Sequence, residues 1–160
     1  MSKFIHPATK ESALEVAKNL RPDDYREIVE GYGLLPTIHL PLFVQSGENI
    51  VFTVPNSKTA GMAGVEADGR IWMLCTPEIH KYPLTFARES KRWVDQRTEP
   101  LLWNICDKRN KAHLRLLKFL GFKFLREVLH GPNYLPFIEF CKIPCVPKIS
   151  EKCPQEWELD

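Results

Sequence analysis

Residues Leu101–Glu127 read LLWNICDKRNKAHLRLLKFLGFKFLRE, and two changes of period inside this stretch decide the fold. The apolar run Leu101–Cys106 has the length of a buried strand. Alternation along it places Trp103 and Ile105 on one face and Leu102 and Asn104 on the other, and a central position would make Trp103 a large core ring. Asp107-Lys108-Arg109 breaks the run. Asn110 then stands where a helix N-cap belongs, because its side-chain oxygen can accept from an orphan backbone N–H. Lys111–Leu120 has a helical period. It groups Ala112, Leu116, Phe119 and Leu120 on one face and Lys111, Arg115 and Lys118 on another. Gly121 suits a left-handed helix stop. Phe122 and Phe124 open a second alternating strand, so the stretch is strand, helix, strand.

The same reading extends upstream. Phe4-Ile5 forms a short strand, Thr9 caps a helix over Lys10–Leu20, and Asp23–Glu30 is a second helical piece closed by Gly31 and Gly33. Leu34–Gly47 is apolar but interrupted by Pro36 and Pro41. Asn49–Pro55 and Thr59–Ala67 read as strands, and Asp68-Gly69 turns the chain back into Arg70–Thr76. Thr76 and Pro77 suit a helix start, with the helical body over Leu84–Gln96 beyond Pro83. After Glu127 a strand pair is split by His130-Gly131-Pro132-Asn133 and returns over Tyr134–Lys142. This order gives an α+β or mixed α/β layer arrangement. The Leu101–Cys106 strand should lie beside Arg70–Thr76.

At 160 residues, 44% hydrophobic and 26% charged, the chain can bury one core. The economical division is one domain over residues 1–142 and a proline-containing arm over residues 143–160, which should fold back or dock rather than fray. A net charge of +2 gives no strong nucleic-acid signal. No apolar run approaches the ~20 residues of a membrane span, and residues 1–4 lead into no signal-peptide core. Five cysteines, an odd number, fit reduced thiols, with Cys75 and Cys106 as buried small hydrophobes. Cys141, Cys145 and Cys153, even with His130, match no zinc spacing, so no metal is expected.

The run Asn110, Leu116, Gly121, Phe122 resembles the N-x-x-A-x-x-L-Y-x-x-x-G-F segment of the GNAT acyl-CoA N-acyltransferases. Leu102-Trp103-Asn104 ahead of it is similar to the small bacteriophage GNAT-like proteins of the internal virion protein A type, named after T7-type phages. Arg21-Pro22-Asp23-Asp24 through Glu27 resembles the opening of that group. The resemblance spans residues 3–142 and implies a GNAT-like fold, a mixed central sheet of about six to seven strands with flanking helices. Two positions depart from it. The usual tyrosine, a general acid in many members, is Leu117, and the alanine after the asparagine is His113.

The resemblance implies a site for the acyl-CoA pyrophosphate at the turn Thr76–Pro83, with Thr76, His80 and Lys81 as candidate contacts and Asn110 against the cofactor arm. That turn has no glycine, two prolines without N–H groups, and Glu78 where a phosphate would be favoured. The missing loop argues against a cofactor, while acetyl-CoA stays possible through the side-chain cations. Asn110 reads equally as a helix cap. His113 is a candidate acid or base in place of the tyrosine, or a histidine at the core edge. Glu66, at the end of a strand, is a second catalytic candidate. The basic face of Lys111, Arg115 and Lys118, with Lys108 and Arg109, fits phosphates, an acidic partner or plain solvation.

The expected function is therefore a minor virion, assembly or protein-interaction component with a degenerate acyl-CoA cleft. Its partners would be phage or host proteins, in the host cytoplasm or the virion. The alternative is an active acetyl-CoA-dependent N-acetyltransferase modifying a host or phage amine. A third reading is a host-defence antagonist that binds through the basic helix face.

Overall fold

The computed structural model describes residues 2–144, so the arm expected beyond residue 143, with Cys145 and Cys153, lies almost wholly outside the described residues. Strand β1 (Ile5–Pro7) leads to α1 (Lys10–Lys18), α2 (Pro22–Arg26), a π-helical turn (Glu27–Gly31) and α3 (Pro36–Phe43). Strands β2 (Glu48–Thr53), β3 (Thr59–Val65) and β4 (Ile71–Cys75) follow, then a 3-10 turn (Pro77–His80) and α4 (Pro83–Asp95). Strand β5 (Leu102–Asp107), α5 (Lys111–Phe119), β6 (Lys123–His130) and β7 (Leu135–Lys142) complete the order.

The punctuation read from the sequence is present. Thr9 accepts from Ser12 N–H in a capping box, Asn110 caps α5, and Gly121 ends it at φ +89°. Two details differ. The helix expected over Asp23–Glu30 changes to a π-turn at Glu27. On α5, Phe119 is 54% exposed while Leu117 is buried with Leu120, so the apolar face is rotated by about a quarter turn from the expected one.

The seven strands do not form one continuous sheet. Antiparallel β1-β2-β3-β4 makes one sheet and β5-β7-β6 the other. They meet only at the amino-terminal ends of β4 and β5, through a parallel bridge between Arg70 and Trp103. Trp103 N–H donates to Gly69 O at 3.2 Å, and Asn104 Nδ2 donates to Ile71 O at 2.8 Å. Beyond Ile71 the two neighbouring strands separate. Gly69 makes the junction possible: it sits at φ +87°, and a Cβ there would lie 2.0 Å from Leu101 O.

Helices cover both faces. Trp93 and Val94 of α4, with Leu117 and Leu120 of α5, pack on Met73, Leu102 and Phe140. Ala13 and Val16 of α1 and Leu40 of α3 pack on Val51, Met62 and Leu74. Trp103 is not the core ring expected. Leu102 takes that position at 0% exposure, and Trp103 is half-buried, its Nε1 donating to Asp68 O at 3.0 Å beneath the Arg70 guanidinium.

Candidate active site

The separation of β4 from β5 is held by a polar wedge from α2. Arg21 N–H donates to Cys75 O at 2.9 Å, and Cys75 N–H donates to Asp24 Oδ2 at 3.0 Å. These bonds satisfy the edge of β4 that would otherwise pair with a strand. Arg21 Nη2 donates to Asn110 Oδ1 and Asn110 Nδ2 to Asp24 Oδ1, both at 2.8 Å. On the facing strand, Asp107 N–H donates to Glu27 Oε1. Arg21, Asp24, Glu27 and Asn110 are all buried. Spacings of three residues align Arg21, Asp24 and Glu27 along one helical face.

A cavity of about 580 Å³ runs through the gap, lined by Glu27, Tyr32, Trp72, Asn104, His113 and Leu117 among others. A smaller one of about 180 Å³ opens between the starts of α4 and α5, with His80, Pro83, Ala87 and Arg115 at its wall. Met73, His113 and Leu116 line both, so the two share a wall. A carboxylate oxygen of Glu27, Sγ of Cys106 and a ring nitrogen of His113 lie within 4.8 Å of one another.

Burial pushes the Glu27 carboxyl up to about 8, with Asp24 and Asp107 repelling its anion further. Burial also lowers the His113 imidazole, keeping it neutral at neutral pH. The Cys106 thiol is raised far above its ordinary range by burial and the surrounding carboxylates, so it is no nucleophile. Glu27, Cys106 and His113 are metal-ligand types. Binding a cation would require two buried neutral groups, the Glu27 carboxyl and the Cys106 thiol, to ionise.

The sequence candidates fall into two groups. His113 and Glu66 both line the larger cavity, Glu66 at its outer end. Asn110 and Thr76 serve the fold. Every Asn110 side-chain hydrogen bond is to Arg21, Asp24 or His113 N–H, and the Thr76 hydroxyl donates to Thr59 O. Lys81 pairs with Glu78 at 3.1 Å, whereas His80 is exposed at the smaller opening. Of the basic face, Lys108 pairs with Glu127, and Arg109 with Glu30 and Asp107. Glu27 and Asp24 escaped the site reading although their segment carried part of the resemblance. Their one signal was a line of ionisable residues on a helix too short to need a polar face.

No protein-family model and no curated protein matches the sequence. Solved structures do match. A Salmonella typhimurium protein solved with its cofactor acetyl-CoA is 13% identical with a TM-score of 0.66, covering 95% of this chain and 100% of that one. This is the GNAT acetyltransferase fold. The ribosomal-protein-S5-alanine acetyltransferase of Vibrio fischeri is 14% identical with a TM-score of 0.63, covering 88% of this chain and 92% of that one. The spermidine N-acetyltransferase of Vibrio cholerae, in complex with CoA and spermine, is 10% identical with a TM-score of 0.62, covering 87% and 94%.

The GNAT fold implies an acyl-CoA donor, and the turn at Thr76–Pro83 does not fit its pyrophosphate. Three backbone donors there are engaged internally. Glu78 N–H donates to Thr76 Oγ1, Ile79 N–H to Thr76 O, and Lys81 N–H to Glu78 O. Asn56 and Lys81 hold the Glu78 carboxyl below its ordinary range, fixing an anion in the turn. No glycine permits a close backbone approach.

Proposed function

We propose that the protein transfers an acyl group from a thioester to an amine in the gap between β4 and β5. One observation carries this reading: Glu27 and His113 line one cavity, with proton affinities displaced in opposite directions. Neutral His113 accepts the proton of the attacking amine. The nitrogen bonds to the thioester carbonyl carbon, the carbon–sulfur bond breaks, and protonated Glu27 supplies the proton to the departing thiolate. The proton on His113 then returns to Glu27 across the trio, closing the cycle. Glu27 thus takes the acid role that the family resemblance gives to the position of Leu117.

The β4 edge supports the same reading. Ile71 O and the Cys75 N–H and C=O face the gap and are occupied. Alternation places the Met73 backbone between them on the same edge, where its N–H can donate to the oxyanion.

The test follows thiol release from acetyl-pantetheine and acetyl-CoA with polyamine, lysine-peptide and peptide N-terminal acceptors. Amine-dependent release is expected, lost at least 100-fold in Glu27→Gln and His113→Ala. It should also fall as pH rises through about 8, where Glu27 loses its proton. Release that is absent with every pair, or unchanged in both variants, overturns the proposal. A second reading, a cleft that binds without catalysis, is favoured by Leu117 and by the unfit phosphate turn. Its placement in a phage particle rests on the sequence resemblance alone.

A further inference from the structure

The turn that ought to receive a nucleotide is occupied by Glu78 and its own hydrogen bonds, yet the cavity beside it reaches His113 and Met73. The smaller cavity leads from the surface between α4 and α5 to His113, and its mouth carries positive charge. Arg115 lines it, and Lys111 and Phe119 lie one turn to either side on α5. Among its nine residues, Lys111–Phe119, α5 has no carboxylate. Lys111 occupies the first turn, where the helix dipole disfavours a cation, so local helix stability does not account for it. Arg88 is exposed on α4, next in sequence to Ala87 of the cavity wall.

Elsewhere on α4 the cations are neutralised: Lys91 pairs with Asp95 and Arg92 with Glu89. Among the described residues no carboxylate pairs with Arg88, Lys111, Arg115 or Lys118. On α5, Phe119 follows Lys118, one turn beyond Arg115, and is 54% exposed; Leu84 at the start of α4 is 77% exposed. Unpaired cations around exposed apolar residues suit a protein surface that presents carboxylates around an apolar centre. A small anion would not need the apolar part.

We propose that the acyl group arrives on a pantetheine arm attached to an acidic carrier protein, which docks on the α4–α5 face while the arm enters the smaller cavity. This rests on the acyl-transfer reading above. It removes the conflict at Thr76–Pro83, since a carrier-borne arm brings a single phosphate, left outside at the rim, and no nucleotide.

The experiment compares three donors: acetyl-pantetheine, acetyl-CoA, and an acidic bacterial acyl carrier protein acetylated on its pantetheine thiol. Each is run with the full chain and with the double variant Lys111→Glu, Lys118→Glu, two cations of α5 outside the cavity wall, whose fold is checked by its melting curve. Charged carrier should exceed acetyl-pantetheine in kcat/KM by at least 10-fold, and acetyl-CoA should stay within about 3-fold of acetyl-pantetheine. The double variant should lose the carrier's advantage and leave acetyl-pantetheine turnover unchanged. Acetyl-CoA exceeding acetyl-pantetheine by 10-fold overturns the proposal, as does a carrier no better than the free arm. Calorimetry with the thiol-form carrier is read separately. If no donor releases thiol but the carrier binds and the double variant does not, acyl transfer fails and the docking face stands. If the carrier does not bind either, both fail.

Discussion

Replacing Glu27 by glutamine should change how stability depends on pH. In the unfolded chain the carboxyl titrates near 4.5; in the fold it holds its proton up to about 8. Between those values the native state binds a proton that the unfolded state has released, so stability is complete below 4.5 and declines as pH rises through 8. Integrated from pH 5 to pH 8, the decline is about 3 kcal/mol. Glutamine has nearly the same shape, keeps an oxygen for the Asp107 N–H, and has nothing to ionise. His113 titrates in the opposite sense, with stability lost as pH falls, but it is present in both proteins and cancels in the difference. Urea unfolding at pH 5, 6, 7 and 8 measures the two curves. The variant should gain on the wild type by about 3 kcal/mol over that interval. Parallel curves, within about 1 kcal/mol, would mean that Glu27 is ionised in the fold, and the acid role assigned to it would fall with that result.

Asn110→Ala should cost about 3 kcal/mol in urea unfolding, because it strips Arg21 and Asp24 of a buried partner on both sides; a loss under about 1 kcal/mol would show that water replaces the amide. Trp103→Ala should cost about 1–2 kcal/mol, below the ~3–5 expected of a core ring, since Leu102 fills the core at this level. Gly69→Ala should destabilise by more than about 2 kcal/mol, being both left-handed and against Leu101 O; a neutral effect would contradict the tight β4–β5 junction.

The elements were legible where a local device sets them. Thr9, Asn110 and Gly121 act through bonds or dihedrals within four residues, so the sequence pattern contains the whole cause. Of the residues that line the candidate site, His113 and Glu66 were the legible ones. His113 stands out because it lies one turn from Leu116 and Leu117 on a helix with clear faces. Glu27 does not, because its environment is assembled from Asp24 on its own segment and from Cys106, Asp107 and His113 some 80 residues away in sequence. Its displaced proton affinity is a property of that assembly. The same limit explains Phe119 and Leu117. Helical periodicity locates an apolar face to within about a quarter turn, and the gap between the sheets decides which leucine fills it.

That gap also requires a reason. Strand pairing would satisfy the β4 and β5 edges with ordinary backbone bonds and without burying an ion. Instead the chain places Arg21, Asp24 and Asn110 there, and an ion pair held out of water is weak support for stability compared with apolar packing. Glu27 adds a group whose burial destabilises the fold at the upper end of the neutral range. A fold selected for rigidity alone would close the strands and discard these residues. The wedge makes physical sense if holding β4 and β5 apart is itself required, leaving the Met73 backbone, His113 and a protonated Glu27 facing one cavity. On the acyl-transfer reading proposed above, the trio and the open edge are one device, and a substitution that closes the gap should abolish acyl transfer even where it raises stability.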